Sequence, residues 1–192
     1  DAMTLHGDHA NVIYQIPAHA KNVSLMFLHG AGQSMRTWQT TPDGREGFQS
    51  VFLRKGYPVY LIDQPRRGDA GRATVDGTIK ASPDEQFWFG QFRMGLWPKL
   101  YDNSAFASQK DLNSFWRQMT PNTAPYNDKV IADAVTDALQ KTEGTVLVTH
   151  SQGCGPGWLI GTEAGKNLKG IIAFEPGSGF IFPEGKVPAP IP

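Results

Sequence analysis

The stretch VLVTHSQG at positions 146–153 decides how this chain folds. Val146, Leu147, Val148 and Thr149 read as a buried strand; Ser151 and Gly153 follow, then the small residues Cys154-Gly155-Pro156-Gly157. A strand that turns sharply into a helix lifts a serine hydroxyl above the sheet edge. It also aims the next N–H, that of Gln152, and the helix N-terminus at the same space. Such a turn suits a nucleophile whose attack creates an oxyanion. Thr149 stands where the strict G-x-S-x-G pattern has its first glycine, so that match fails. The same residues also read as a serine capping a helix after a strand.

Outward from this point, strands and helices alternate. Residues 11–16, 24–28, 58–62, 145–149 and 170–174 read as short apolar strands bounded by turn residues. Residues 47–55 have helical spacing, with Phe48, Val51 and Phe52 on one side. Residues 128–141 read as the best helix, capped by Asp128, with Ile131, Val135, Ala138 and Leu139 in one stripe, and residues 158–164 as another. The expected fold class is therefore α/β: a mostly parallel sheet with helices on both faces, in a single domain over 1–192. Residues 68–126 fit the alternation badly and are rich in aromatics such as Phe87, Trp88, Phe89, Trp97 and Trp116. They read as a helical cap insertion over a pocket, although any one of these rings is expected to be ordinary packing. Arg66, Arg67 and Arg72 offer contacts for an acidic substrate group, but read more readily as a solvated structural cluster.

Two segments strengthen the chemical reading of Ser151. FLHGAG at 27–32 ends a strand in a His-Gly turn that can bring the Ala31 N–H beside that of Gln152, forming an oxyanion hole. IIAFEPG at 171–177 ends another strand in Glu175, at the same predicted edge, where a carboxylate can orient a histidine.

Bulk properties exclude several classes. Eighteen basic and 18 acidic side chains give a net charge of +0, so nucleic acid is not an expected partner. No apolar run is long enough for a membrane span. A lone cysteine, Cys154, excludes an internal disulfide and a cysteine-based zinc site. No phosphate loop or dinucleotide fingerprint is present, and no cofactor or metal is expected. The chain starts at Asp1 without methionine, which suits a processed exported protein and favours a periplasmic or secreted location over a cytoplasmic one.

The order of these elements resembles the α/β-hydrolase superfamily. More narrowly it is similar to a bacterial esterase group with a Ser-Glu-His triad. The stretches that carry the resemblance are LHGAGQSMRTWQTTPDGREGF, FLRKGYPVYLIDQPRRGDAGR, THSQG and FEPG, within residues 23–177. The resemblance implies Ser151 as nucleophile, Glu175 as triad acid, and Ala31 and Gln152 as backbone oxyanion donors. Some members carry adjacent cysteines after the His-Gly; Ala31 and Gly32 stand there, so disulfide chemistry at that position is absent.

A serine needs a base to take its proton. None of the five histidines fits: His150 adjoins Ser151 and leaves the strand on the other side, His29 belongs to the oxyanion turn, and His6, His9 and His19 flank the first strands. The fold also lacks its last strands, and the chain closes in the proline-rich run 185–192. The base histidine is expected beyond residue 192. The expected activity is carboxylic ester hydrolysis through an acyl-enzyme. A non-catalytic binding protein for a small apolar ligand, or another acyl or C–C hydrolase, are the alternatives. Expected partners are a small-molecule ester and the C-terminal remainder of the same protein, in the same polypeptide or as a separate chain, with a homodimer as a further option.

Overall fold

The computed structural model describes residues 3–177. Five strands form one sheet: β1 (Asn11–Gln15), β2 (Ser24–Leu28), β3 (Val59–Asp63), β6 (Thr145–His150) and β7 (Leu168–Phe174), in the order β1-β3-β2-β6-β7. β1 pairs antiparallel with β3, and the other neighbours are parallel. β4 (Gly95–Leu96) and β5 (Lys99–Leu100) make a separate small hairpin. This is the expected α/β architecture.

Alternation along the central strands explains why both faces are covered. In β2, Met26 and Leu28 join Ile62 of β3 and Leu147 of β6 in a core closed by α4 (Asp128–Leu139) and α5 (Cys154–Glu163). Leu25 and Phe27 point the other way, with Leu61 and Val148, onto Trp38 and onto Phe52 of α1 (Phe48–Arg54). A parallel strand buried on both faces needs apolar residues at every position, and all five residues of β2 are buried.

Several element ends differ from expectation for local reasons. β3 runs one residue further, because Asp63 is buried and accepts the Met35 and Asp69 N–H groups at 2.6 and 2.9 Å. α5 begins at Cys154, four residues before the expected Trp158. Pro156 is tolerated there, because the first helical turn has no intrahelical acceptor for its N–H. The N-cap of α4 is Asn127, whose Oδ1 accepts the Val130 N–H at 3.0 Å; Asp128 instead accepts a hydrogen bond from the Tyr126 hydroxyl. Asn127→Ala is expected to lower stability by about 1 kcal/mol, measured as a shift in the urea midpoint at unchanged slope.

Residues between β3 and α4 carry α2 (Glu85–Gln91) and α3 (Gln109–Arg117). Phe89, Met94, Leu112 and Trp116 form a core of their own, with Trp88, Phe106 and Phe115 packed against it. These aromatics mainly pack on one another.

Candidate functional site

The end of β6 positions the candidate nucleophile. His150 is the last strand residue and pairs with Phe174 of β7, and Ser151 opens a short 3-10 turn leading into α5. Ser151 has φ +51°, in the left-handed region that costs a non-glycine residue about 1 kcal/mol or more. Packing around the turn holds it there. A methyl group at Gly153 would lie 2.4 Å from the His29 carbonyl oxygen, so only glycine lets the turn sit this close to the end of β2. Thr149, in place of the pattern's first glycine, is accommodated from the opposite side. A methyl at Gly157 would stand 2.9 Å from Thr149 Cγ2, so the space is provided on α5 instead of β6. Cys154 is buried, its Sγ 3.1 Å from Thr149 Oγ1, with its thiol pushed up by burial.

The residues expected to act together converge at one edge of the sheet. Ser151 and Glu175 each lie one residue beyond the His150–Phe174 pair, and both have left-handed φ, +51° and +42°. The Gly30 turn after β2 is equally close: a methyl at Gly30 would come 3.0 Å from Ser151 Cβ. Gln152 is the second residue of its 3-10 turn, so its N–H has no acceptor within that turn. The chain leaving β7 then crosses the elbow. The Gly177 N–H donates to the Ser151 carbonyl at 3.1 Å, and a methyl at 177 would sit 3.3 Å from Ser151 Oγ. Glu175 itself is exposed, and its nearest cation is Arg93 of the 68–126 segment, with Nη2 at 3.6 Å.

His6, His9, His19 and His29 occupy the places expected of them, but His150 does not turn away from Ser151: a methyl at Gly30 would lie 3.1 Å from His150 Nδ1 and 3.0 Å from Ser151 Cβ. His150 Nδ1 lies 3.0 Å from Gln33 Oε1, an oxygen that also accepts the Gly30 N–H at 2.9 Å. Its ring therefore braces the Gly30 turn, with its pKa lowered by burial against an opposing pull from Glu175. His29 is wholly buried: Nδ1 donates to the Gly30 carbonyl at 3.1 Å and Nε2 accepts the Gln64 N–H at 3.4 Å. Burial holds its pKa down to about 3. His6, His9 and His19 are exposed. An unfolded histidine titrates near 6.5, so between about pH 6.5 and 3 the unfolded chain binds a proton that folded His29 refuses. Stability is expected to be fully present above that window and to fall as pH drops through it. In urea titrations at stepped pH, His29→Gln should flatten this slope.

Arg66 and Arg67 correct the expectation of a solvated cluster; only Arg72 is exposed. Arg66 makes a two-pronged pair with Asp8, at 2.7 and 2.8 Å, and donates to the Pro125 carbonyl. Arg67 is 2% exposed. Its Nη1 donates to the Gly30 and Gln33 carbonyls, both at 3.1 Å, while Nε and Nη2 bind Asn122 Oδ1. Burial holds its pKa down to about 10, still a cation at neutral pH. Its position directly after a buried strand, between Pro65 and Gly68, was the only signal in the sequence that it turns inward.

Two cavities lie among the described residues away from the aromatic rings of the 68–126 segment. A groove of about 900 Å3 lies between β1 and α4, lined by Val12, Tyr14, Tyr60 and Ala134, and contains none of the candidate residues. A smaller, mainly polar cavity of about 510 Å3 sits where Met119 and Thr120 meet the turn after β2, beside Arg36, Asp69 and Arg117. Among the described residues no group of three or more His, Cys, Asp or Glu is placed to hold a metal, and no helix is long and apolar enough to cross a membrane.

With this geometry in place, comparison with known proteins is decisive at the level of the family. The model of the alpha/beta hydrolase family matches residues 25–192. The chain belongs to that family. It is 32% identical over 161 residues to the "Probable secreted lipase phiG" of Fungal sp. (strain ATCC 74256), covering 79% of this chain and 44% of the lipase. It is also similar to a solved bacterial esterase, with a TM-score of 0.79 and 30% identity, over 90% of this chain and 59% of the esterase. The chain thus spans about half the length of these relatives. Kinship with a lipase and an esterase supports a hydrolase.

Proposed function

We propose that the whole protein is a carboxylic ester hydrolase working through an acyl-enzyme on Ser151, within the Ser-Glu-His group that the sequence resembles. Ser151 Oγ attacks the ester carbonyl carbon as a histidine from the polypeptide beyond residue 192 takes its proton. The N–H groups of Ala31 and Gln152 receive the resulting oxyanion. Collapse expels the alcohol, which takes the proton from the histidine; water, activated by the same base, then releases the carboxylic acid. Glu175 orients that histidine and stabilises its protonated form. The segment 68–126 is the cap of this site.

One observation carries the reading: Ser151 and Glu175 leave adjacent parallel strands at matched positions, each in a left-handed conformation, beside the Gly30 turn. A serine that merely capped a helix would have no need of left-handed strain, since N-cap residues normally adopt the extended region. The secreted relative supports a location outside the cytoplasm. A fluorophosphonate probe applied to the full-length polypeptide is expected to label Ser151, located by peptide mass; an unlabelled, folded protein would remove the proposal.

A further inference from the structure

We propose that Arg67 is a positioning residue for acyl transfer, holding and polarising the Gly30–Ala31 peptide so that the Ala31 N–H faces the developing oxyanion. This rests on the assignment of Ala31 as an oxyanion donor.

The argument begins with the peptide plane. Gly30 C=O and Ala31 N–H belong to one trans unit, so they point in opposite directions, and whatever fixes the carbonyl also aims the N–H. The Gly30 carbonyl accepts from Arg67 Nη1 and from His29 Nδ1, each at 3.1 Å. On the other side of the glycine, its own N–H is held by Gln33 Oε1 at 2.9 Å. Arg67 Nη1 also holds the Gln33 carbonyl at 3.1 Å, so one guanidinium spans both ends of the turn. Its remaining contacts, Nε and Nη2 to Asn122 Oδ1, fasten that turn to the 68–126 segment.

Charge gives this arrangement a role beyond bracing. Burying a cation is costly, and such groups are ordinarily paired with a carboxylate. Among the described residues no carboxylate forms an ion pair with Arg67, and its partners are two peptide carbonyls and one amide. A neutral donor could brace the same atoms with less desolvation. Asp63 acts on Arg67 only through space, so a guanidinium with no carboxylate in contact sits on the carbonyl oxygen, draws electron density from that peptide and strengthens its N–H as a donor. The benefit is greatest when negative charge appears on the far side, which occurs in the tetrahedral intermediate and not in the bound ester.

The test uses the full-length polypeptide and two variants. Arg67→Lys keeps the charge but supplies a point donor in place of the fork. Asn122→Asp keeps the hydrogen bonds but sets a carboxylate against the guanidinium, weakening its pull on the Gly30 carbonyl. With a p-nitrophenyl ester, Arg67→Lys is expected to lower kcat about 10-fold with KM within twofold, since one misaimed oxyanion donor acts only in the transition state. Affinity for a trifluoromethyl ketone, whose adduct on serine mimics the oxyanion, should fall by the same factor. Asn122→Asp should lower kcat several-fold while Tm stays level or rises. If kcat and ketone affinity stay within twofold of wild type in the folded variants, or fall only with the folded fraction, Arg67 is a strut and the inference is overturned. Should Arg67→Lys not fold, Asn122→Asp decides alone. Failure of the Ser151 assignment is separate: it appears as no fluorophosphonate labelling of the unaltered protein.

Discussion

Replacing Ser151 by alanine in the full-length polypeptide is expected to lower kcat for ester hydrolysis by about 10^4-fold or more, with fluorophosphonate labelling lost. Stability should hold or rise. Ser151 carries left-handed strain at φ +51°, and alanine is no worse suited to that conformation by size. Its carbonyl, which accepts from Gly177, is retained by any residue. A loss of activity without a loss of Tm would separate chemistry from folding. Hydrolysis that persists at more than a hundredth of the wild-type rate would place the nucleophile elsewhere.

The second large effect concerns Gly153→Ala. A methyl at this position would meet the His29 carbonyl oxygen at 2.4 Å and the Leu28 carbonyl oxygen at 3.2 Å, and both are backbone atoms of the sheet's most buried strand. Side chains can rotate away from such a clash, but the end of a central strand cannot. The turn must therefore lift off β2, separating Ser151 and the Gln152 N–H from the Gly30 turn. The expected cost is about 3 kcal/mol in urea unfolding, at the upper end for overpacking, together with loss of most of the proposed ester hydrolysis. A variant with wild-type midpoint and rate would show that the Ser151 turn and the Gly30 turn do not depend on each other.

Both effects arise where periodicity in the sequence meets a contact that no periodicity encodes. The strands and the helical coverage were legible because β2, β3 and β6 must be apolar on both faces, while α4 shows its stripe at helical spacing. The strand–Ser–x–Gly turn was legible despite the missing glycine at 149, because the small residues 153–157 signal a tight junction. Why Thr149 is allowed was not legible: the compensating Gly157 sits one helical turn into α5, and only packing shows which side yields the space. The cap of α4 was misassigned to Asp128, because Asn127 and Asp128 are equally good capping types and the Tyr126 hydroxyl decides between them.

The sequence by itself determined the α/β class and the edge at which Ser151, Glu175 and the Gly30 turn meet. Those features follow from hydrophobic alternation and from the rule that parallel strands end on one side. Tertiary structure alone decided that Arg66 and Arg67 turn inward, that Gly177 lies over Ser151, and that the aromatics of residues 68–126 pack largely on one another. For the arginines the physical reason is that burial of a loop cation depends on which distant acceptors remain unsatisfied nearby: the Gly30 and Gln33 carbonyls and the Asn122 side-chain amide lie 37, 34 and 55 residues from Arg67, which satisfies them.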